Sequence, residues 1–291
     1  MLPKRERSAP SRTAELSAAL EDLRRLPASR PELAGPAETL AAVLEAVFRT
    51  PDPGAPPLDD GSLRAVGEAV ARGVPALRAV DLPVDSGRLA ARVEDILAAL
   101  DKRNPAARAL RRALERDPSR VEAWGRAILA GCADEAEGDW QASSLDPRLV
   151  AAIVRLAWLP PLARWSQALA DTIANSGRRG GNCPLCGASP LLAEARGLEA
   201  RRILRCGRCA AEWPGLRLGC NACGLDDPHQ LRVLAVEGEA DRYRLASCLA
   251  CGSRLIIVAT LAPLSPPALI VAELATIHLL TLPDPQAHGT A

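Results

Sequence analysis

Eight of the nine cysteines in this 291-residue chain fall into four CxxC pairs: Cys183 with Cys186, Cys206 with Cys209, Cys220 with Cys223, and Cys248 with Cys251. Two intervening residues let a tight turn aim both sulfurs at one ion, while backbone amides of that turn donate to the thiolates. Glycine follows three of the pairs, at Gly187, Gly224 and Gly252, where such a knuckle favours a positive φ. Nineteen residues separate the first pair from the second and 24 the third from the fourth. Either gap fits a β-hairpin that returns one knuckle to face the other. Only ten residues lie between Cys209 and Cys220, the length of a connector. The spacing therefore joins the pairs in sequence order into two four-cysteine sites. Tetrahedral sulfur sets accept zinc or iron alike, so two metal ions, iron or zinc, are expected. A disulfide framework is the competing use of eight cysteines, but the basic N-terminal stretch has no apolar segment behind it to act as a secretory signal. A cytoplasmic protein is expected.

The elements that must position these sites divide the chain unequally. Residues 1–175 carry helical periodicity almost throughout. Leu40, Val43, Leu44, Val47 and Phe48 form one apolar stripe on a helix that Pro36 opens, and Leu89, Val93, Ile96, Leu97 and Leu100 form another. Asn104 before Pro105, and Asp146 before Pro147, are start signals for two more helices. Pro51 to Pro57 read as a loop, because prolines this dense neither continue a helix nor donate in a sheet. Around Asn175 to Gly181 glycines replace the periodicity, and the domain boundary is placed there. Segments such as 201–206, 231–236 and 242–247 then read as strands between cysteine pairs. The expected architecture is multi-domain α plus small β: a helical domain over 1–175, tandem rubredoxin-like or zinc-ribbon-like modules over 176–215 and 216–258, and over 259–291 a C-terminal helix, from Ala268 to Leu280, followed by a loose tail.

Charge and composition narrow the function classes. Formal net charge is +1, so no long-range field draws the molecule to nucleic acid or anionic lipid. Arg178 to Val258 hold 12 arginines and 8 acids, and two four-thiolate sites with divalent ions cancel that excess. Arg201, Arg202, Arg205 and Arg208 could still cluster on a hairpin, the one feature favouring a nucleic-acid-binding zinc ribbon. Trp213 and Tyr243 are too few aromatics for a base-stacking platform, and no nucleic-acid partner is expected. The most hydrophobic stretch, Leu255 to Ala272, is broken by Pro263, Pro266 and Pro267, so no membrane span is expected. There is no Ser/His/Asp arrangement, no phosphate-cradling glycine loop and no open three-ligand metal site, so the chain reads as a non-enzyme. Cys132 reads as a small buried hydrophobe, and His229, His278 and His288 are given no role.

The order CPLCGASP, then LRCGRCAAEWPGLRLGCNACG, then SCLACGSRLIIV resembles FdhE-type formate dehydrogenase accessory proteins. The eight cysteines carry over one by one, Glu212 and Trp213 match the EW of that pattern, and Arg217 matches the basic residue after it. The C-terminal helix departs from the family's paired acids, offering only Glu273. The resemblance implies a factor for maturation or activation of formate dehydrogenase that contacts its catalytic subunit. An iron-site redox protein acting in that maturation is the alternative the sulfur-only ligand sets leave open.

Overall fold

Helix starts are fixed by short polar side chains that accept from otherwise unpaired first-turn amides. In the computed structural model, which describes residues 11–50, 52, 55, 57–80, 83–100 and 104–283, Ser11 caps α1 (Arg12–Ser29), Asp59 caps α3 (Asp60–Ala71) and Asp85 caps α4 (Ser86–Ala99). The two start signals read from sequence are in place. Asn104 Oδ1 accepts from Ala106 and Ala107 ahead of α5 (Pro105–Arg116), and Asp146 Oδ1 accepts from Arg148 and Leu149 ahead of α8 (Pro147–Ala168). Helix α2 (Ala34–Phe48) begins two residues before Pro36, continuing from a 3-10 turn over Pro31–Leu33, so the proline lies inside the first turn rather than opening it. Pro51, Pro53, Gly54 and Pro56 of the expected loop, the first ten residues, and the tail from 284 with His288 lie outside the described residues.

Helix α8 is the axis of the helical part. It packs against α2, α4, α5, and the pair α6 (Arg120–Ala130) and α7 (Ala133–Ala142), and carries a nearly continuous buried face from Val150 to Trp165. Gly125 lets α6 approach α8: a Cβ there would collide with the Trp158 ring, whose Nε1 donates to Val121 O at 3.2 Å. A charged pair is buried in this core. Arg92, 4% exposed, donates to the Val47 and Ala157 carbonyls and to Asp52 at 2.6 Å, so each donor of the guanidinium group used here meets an acceptor.

After α9 (Ala170–Asn175), Gly177, Gly180 and Gly181 adopt positive φ, and the amides of Gly180 and Gly181 donate to Pro214 O and Asn221 O. The chain then builds one six-stranded sheet rather than two separate ones. Its order is β3-β2-β1-β6-β5-β4, with β1 (Leu192–Arg196), β2 (Arg201–Arg205) and β3 (Glu212–Pro214) from the first cysteine segment and β4 (Leu231–Leu234), β5 (Tyr243–Cys248) and β6 (Arg254–Thr260) from the second. All pairings are antiparallel except β1 with β6, whose register runs Leu192 opposite Ile256 to Arg196 opposite Thr260. Helix α10 (Pro266–Thr276) returns to pack on α1 and α8, and the helix expected to reach Leu280 tightens into a 3-10 turn over Ile277–Thr281. Among the described residues no helix is long and apolar enough to cross a membrane; the most hydrophobic stretch is divided between β6 and α10.

Candidate metal centres

Each CxxC pair folds into the same turn. The amide four residues after the first cysteine donates to that cysteine's carbonyl: Gly187 to Cys183, Ala210 to Cys206, Gly224 to Cys220 and Gly252 to Cys248, at 2.9 to 3.0 Å. The cysteine's own amide donates to the residue five positions on, Ala188, Ala211, Leu225 or Ser253. This loop forces a left-handed backbone at the fourth position, where φ is +79° at Gly187, +79° at Gly224 and +70° at Gly252. The second knuckle does the same at Ala210, with φ +55°, despite its Cβ.

The hairpins bring the knuckles together in the sequential pairing the spacing predicts. Cys183, Cys186, Cys206 and Cys209 form one group and Cys220, Cys223, Cys248 and Cys251 the other, with the sulfurs of each group within 4.8 Å of one another. Sγ–Sγ separations are 3.6 Å for Cys183–Cys209, 3.5 Å for Cys186–Cys206, 3.7 Å for Cys220–Cys251 and 3.9 Å for Cys223–Cys248. Four sulfurs at about 2.3 Å from a central ion in a tetrahedron stand about 3.8 Å apart, close to these values. A disulfide would require about 2.05 Å. The donor sets therefore fit one tetrahedral ion each.

The thiol electrostatics point the same way. In the first site, hydrogen bonds from the thiols of Cys183, Cys186 and Cys209, against the pull of burial, hold Cys206 well below the ordinary thiol range. Burial and neighbouring sulfurs push Cys183 and Cys209 up. In the second site burial opposes ionisation of Cys220, but the amides of Cys223 and Ala222 and the Ser253 hydroxyl outweigh it and bring Cys220 down to about 6. Cys223 gains from the Leu225 amide but is pushed up to about 11 by Cys220 and Cys251. Such clusters favour few thiolates until a cation is supplied, and a divalent ion reverses that preference.

The two sites differ in their surroundings. All four cysteines of the first are buried, and both knuckles are held from the helical part. The amides of Ala76 and Leu77 donate to Pro184 O and Leu185 O at 2.8 and 3.0 Å, and Arg155 of α8 reaches Gly207 O and also Glu273 of α10 at 2.8 Å. Trp213 is buried and donates to Gly180 O at 3.1 Å, tying β3 to the linker. Behind the first site, Glu194 is fully buried and accepts from Arg205, Arg196 Nε, Thr260 Oγ1 and the Leu264 amide. The second site is peripheral, with Cys223 and Cys251 exposed.

Other sequence candidates distribute differently. Glu212 is exposed and pairs with Arg196 at 2.8 Å, and Arg217 is exposed on the connector. Arg201, Arg202, Arg205 and Arg208 do not make one basic patch, because Arg205 is 4% exposed and committed to Glu194. His278, given no role from sequence, lies against Arg30 and meets Glu239 at 2.8 Å, a junction between α1, the β4–β5 turn and the C-terminal segment. Nothing in its apolar sequence neighbourhood signals that; only the return of α10 onto α1 creates it. Cys132 sits half-buried as the residue before α7.

A curated relative from Stutzerimonas stutzeri, named protein FdhE homolog, is 30% identical over 166 residues, 55% of this chain and 46% of the relative. A second of the same name from Pseudomonas aeruginosa is 29% identical over 222 residues, 73% of this chain and 66% of the relative. These matches span less than half of the first relative and just under two thirds of the second. The crystal structure of the FdhE protein from Pseudomonas aeruginosa superposes with a TM-score of 0.66 at 23% identity, covering 94% of this chain and 92% of that one. The chain is FdhE-like in sequence and in fold. No established family profile matches it. The helical part, the mixed sheet with two four-cysteine groups and the terminal helix thus belong to an FdhE-like architecture along nearly the whole chain.

Proposed function

We propose that this chain is an accessory protein for the maturation or activation of formate dehydrogenase, acting in the cytoplasm and docking on that enzyme's catalytic subunit without catalysing a reaction itself. The observation that carries the reading is that an FdhE-like fold retains both complete four-sulfur donor sets at tetrahedral spacing. Cys183, Cys186, Cys206 and Cys209 would hold one iron or zinc ion and Cys220, Cys223, Cys248 and Cys251 another. A metal bound there would crosslink two knuckles each and, if iron, add one-electron capacity. The chain's own residues do the positioning. Arg155 and the amides of Ala76 and Leu77 seat the first site on the helical part, and Glu194 with Arg205 ties β1, β2 and the loop before α10 behind it. Nucleic acid is not proposed as a partner, since Arg205 is spent inside the sheet.

The test is paired. A host lacking this protein should accumulate formate dehydrogenase catalytic subunit with reduced activity, and a tagged chain should co-purify with that subunit. Full activity in its absence overturns the reading. The exposure of Cys223 and Cys251 favours one further reading, an iron redox role at the second site, where electrons have a short path from solvent. Visible charge-transfer bands in anaerobically purified protein support it, and zinc as the sole metal removes it.

A further inference from the structure

The helical part contains a cavity of about 220 Å³ between α6, α7 and α8, next to the second knuckle of the first cysteine site. Its wall is apolar, made by Ile128, Leu129, Val154, Trp158 and Leu162. An apolar cavity of about 150 Å³ holds benzene, so this one has room for a ring with a short substituent. Four tryptophans belong to these helices: Trp124, Trp140, Trp158 and Trp165. Trp124 Nε1 donates to Asp139 at 2.6 Å and Trp158 Nε1 to Val121 O at 3.2 Å. Trp140, which lines the cavity and is 2% exposed, has no acceptor for its Nε1 among the described residues. A buried donor without an acceptor is uncommon, because each lost bond to water goes uncompensated.

The lining also includes three charged side chains. Arg155 is engaged by Glu273 and Gly207 O. Arg208 makes no side-chain hydrogen bond or ion pair among the described residues, and Glu137 supplies one opposing charge from the exposed side of α7. We propose that this cavity binds an aromatic or branched apolar group carrying a carboxylate, with an acceptor oxygen taking the Trp140 N–H and the negative charge balanced by Arg208. A free aryl carboxylate and the C-terminal phenylalanine or leucine of a peptide share this chemistry. The inference goes beyond the formate dehydrogenase reading and depends on neither the partner nor the metal.

The test uses the full metal-loaded chain with isotope-labelled indoles, titrated with phenylpropionate, with neutral phenylpropanol, and with a tripeptide of two alanines ending in phenylalanine. Of the five tryptophan indole signals, phenylpropionate should shift most the one missing from Trp140→Phe, with a smaller shift at Trp158 in the same wall. Trp140→Phe should weaken binding about tenfold or more, the loss of one hydrogen bond to a charged oxygen. Arg208→Gln should weaken it further, Glu137→Gln should tighten it, and phenylpropanol should bind less well than phenylpropionate. Tighter binding of the tripeptide identifies a chain end as the occupant; binding of phenylpropionate alone identifies a small molecule. No saturable shift with either carboxylate, or a Trp140→Phe protein that folds and binds as tightly as the unmodified chain, overturns the proposal. If Trp140→Phe does not fold, the indole shift and Arg208→Gln still decide.

Discussion

Replacing Glu194 with glutamine removes the charge against which Arg205 is buried. Glu194 is 0% and Arg205 4% exposed, and the carboxylate also accepts from Arg196 Nε at 2.9 Å, Thr260 Oγ1 at 3.0 Å and the Leu264 amide at 3.1 Å. Glutamine keeps one oxygen for Thr260 or Leu264 and turns an amide nitrogen toward a guanidinium that needs an acceptor. Breaking one partner of a buried pair costs about 3–5 kcal/mol. Arg205 retains Leu264 O at 2.8 Å and Ala210 O at 3.3 Å, and Arg196 retains Glu212, so the lower end applies. The expected loss for Glu194→Gln is about 3 kcal/mol at neutral pH. The pH dependence has a definite sign. Burial pushes Glu194 up, but Arg205, Arg196 and the Leu264 amide outweigh it and hold the carboxyl below its ordinary value. Its stabilisation is therefore complete above the unfolded value of about 4.3 and lost as pH falls through the lower folded value. Urea unfolding of the metal-loaded protein, followed by near-ultraviolet circular dichroism from neutral to acid pH, measures both effects. A loss below about 1 kcal/mol, what an exposed pair is worth, together with an unchanged acid limb, would refute the reasoning.

Three further outcomes are expected. Ala210→Gly should stabilise the protein by about 1 kcal/mol, because it relieves a left-handed residue at φ +55°, read as a rise in melting temperature. A competing chelator should strip the second site before the first, since Cys223 and Cys251 are exposed while all four cysteines of the first site are buried; two kinetic phases of metal release check this, and a single phase contradicts it. Trp213→Phe should cost about 1 kcal/mol through loss of the indole bond to Gly180 O, and amide exchange should rise first at the linker glycines.

The helical caps and the metal knuckles were legible because each rests on local chemistry. Asn104 and Asp146 satisfy amides two and three residues away, and each CxxC turn closes within six residues. The knuckle at Ala210 was less legible, since no glycine marks its positive φ. What stayed hidden depends on distant partners. Strand β1 reads Leu-Ala-Glu-Ala-Arg, an unremarkable helical composition, and becomes a central strand because Arg205, Thr260 and Leu264 converge on Glu194. The parallel pairing of β1 with β6 fuses two modules into one sheet, and no local signal near residue 192 announces a partner near 256. Arg205 stands in a run that reads as a basic surface, yet strand alternation and Glu194 turn it inward. The same holds for Arg30 with Glu239 and His278, which meet only once α10 has folded back on α1.

Whether the eight paired cysteines hold two metal ions in closed four-sulfur sites is tested most directly by metal stoichiometry with X-ray absorption on anaerobically purified protein, for the unmodified chain and for Cys183→Ser and Cys248→Ser. Two ions per chain are expected, each with four sulfur neighbours at about 2.3 Å, with loss of one ion in either variant. Fewer than one ion per chain together with disulfide-linked cysteines, or a shell containing nitrogen or oxygen, would contradict this.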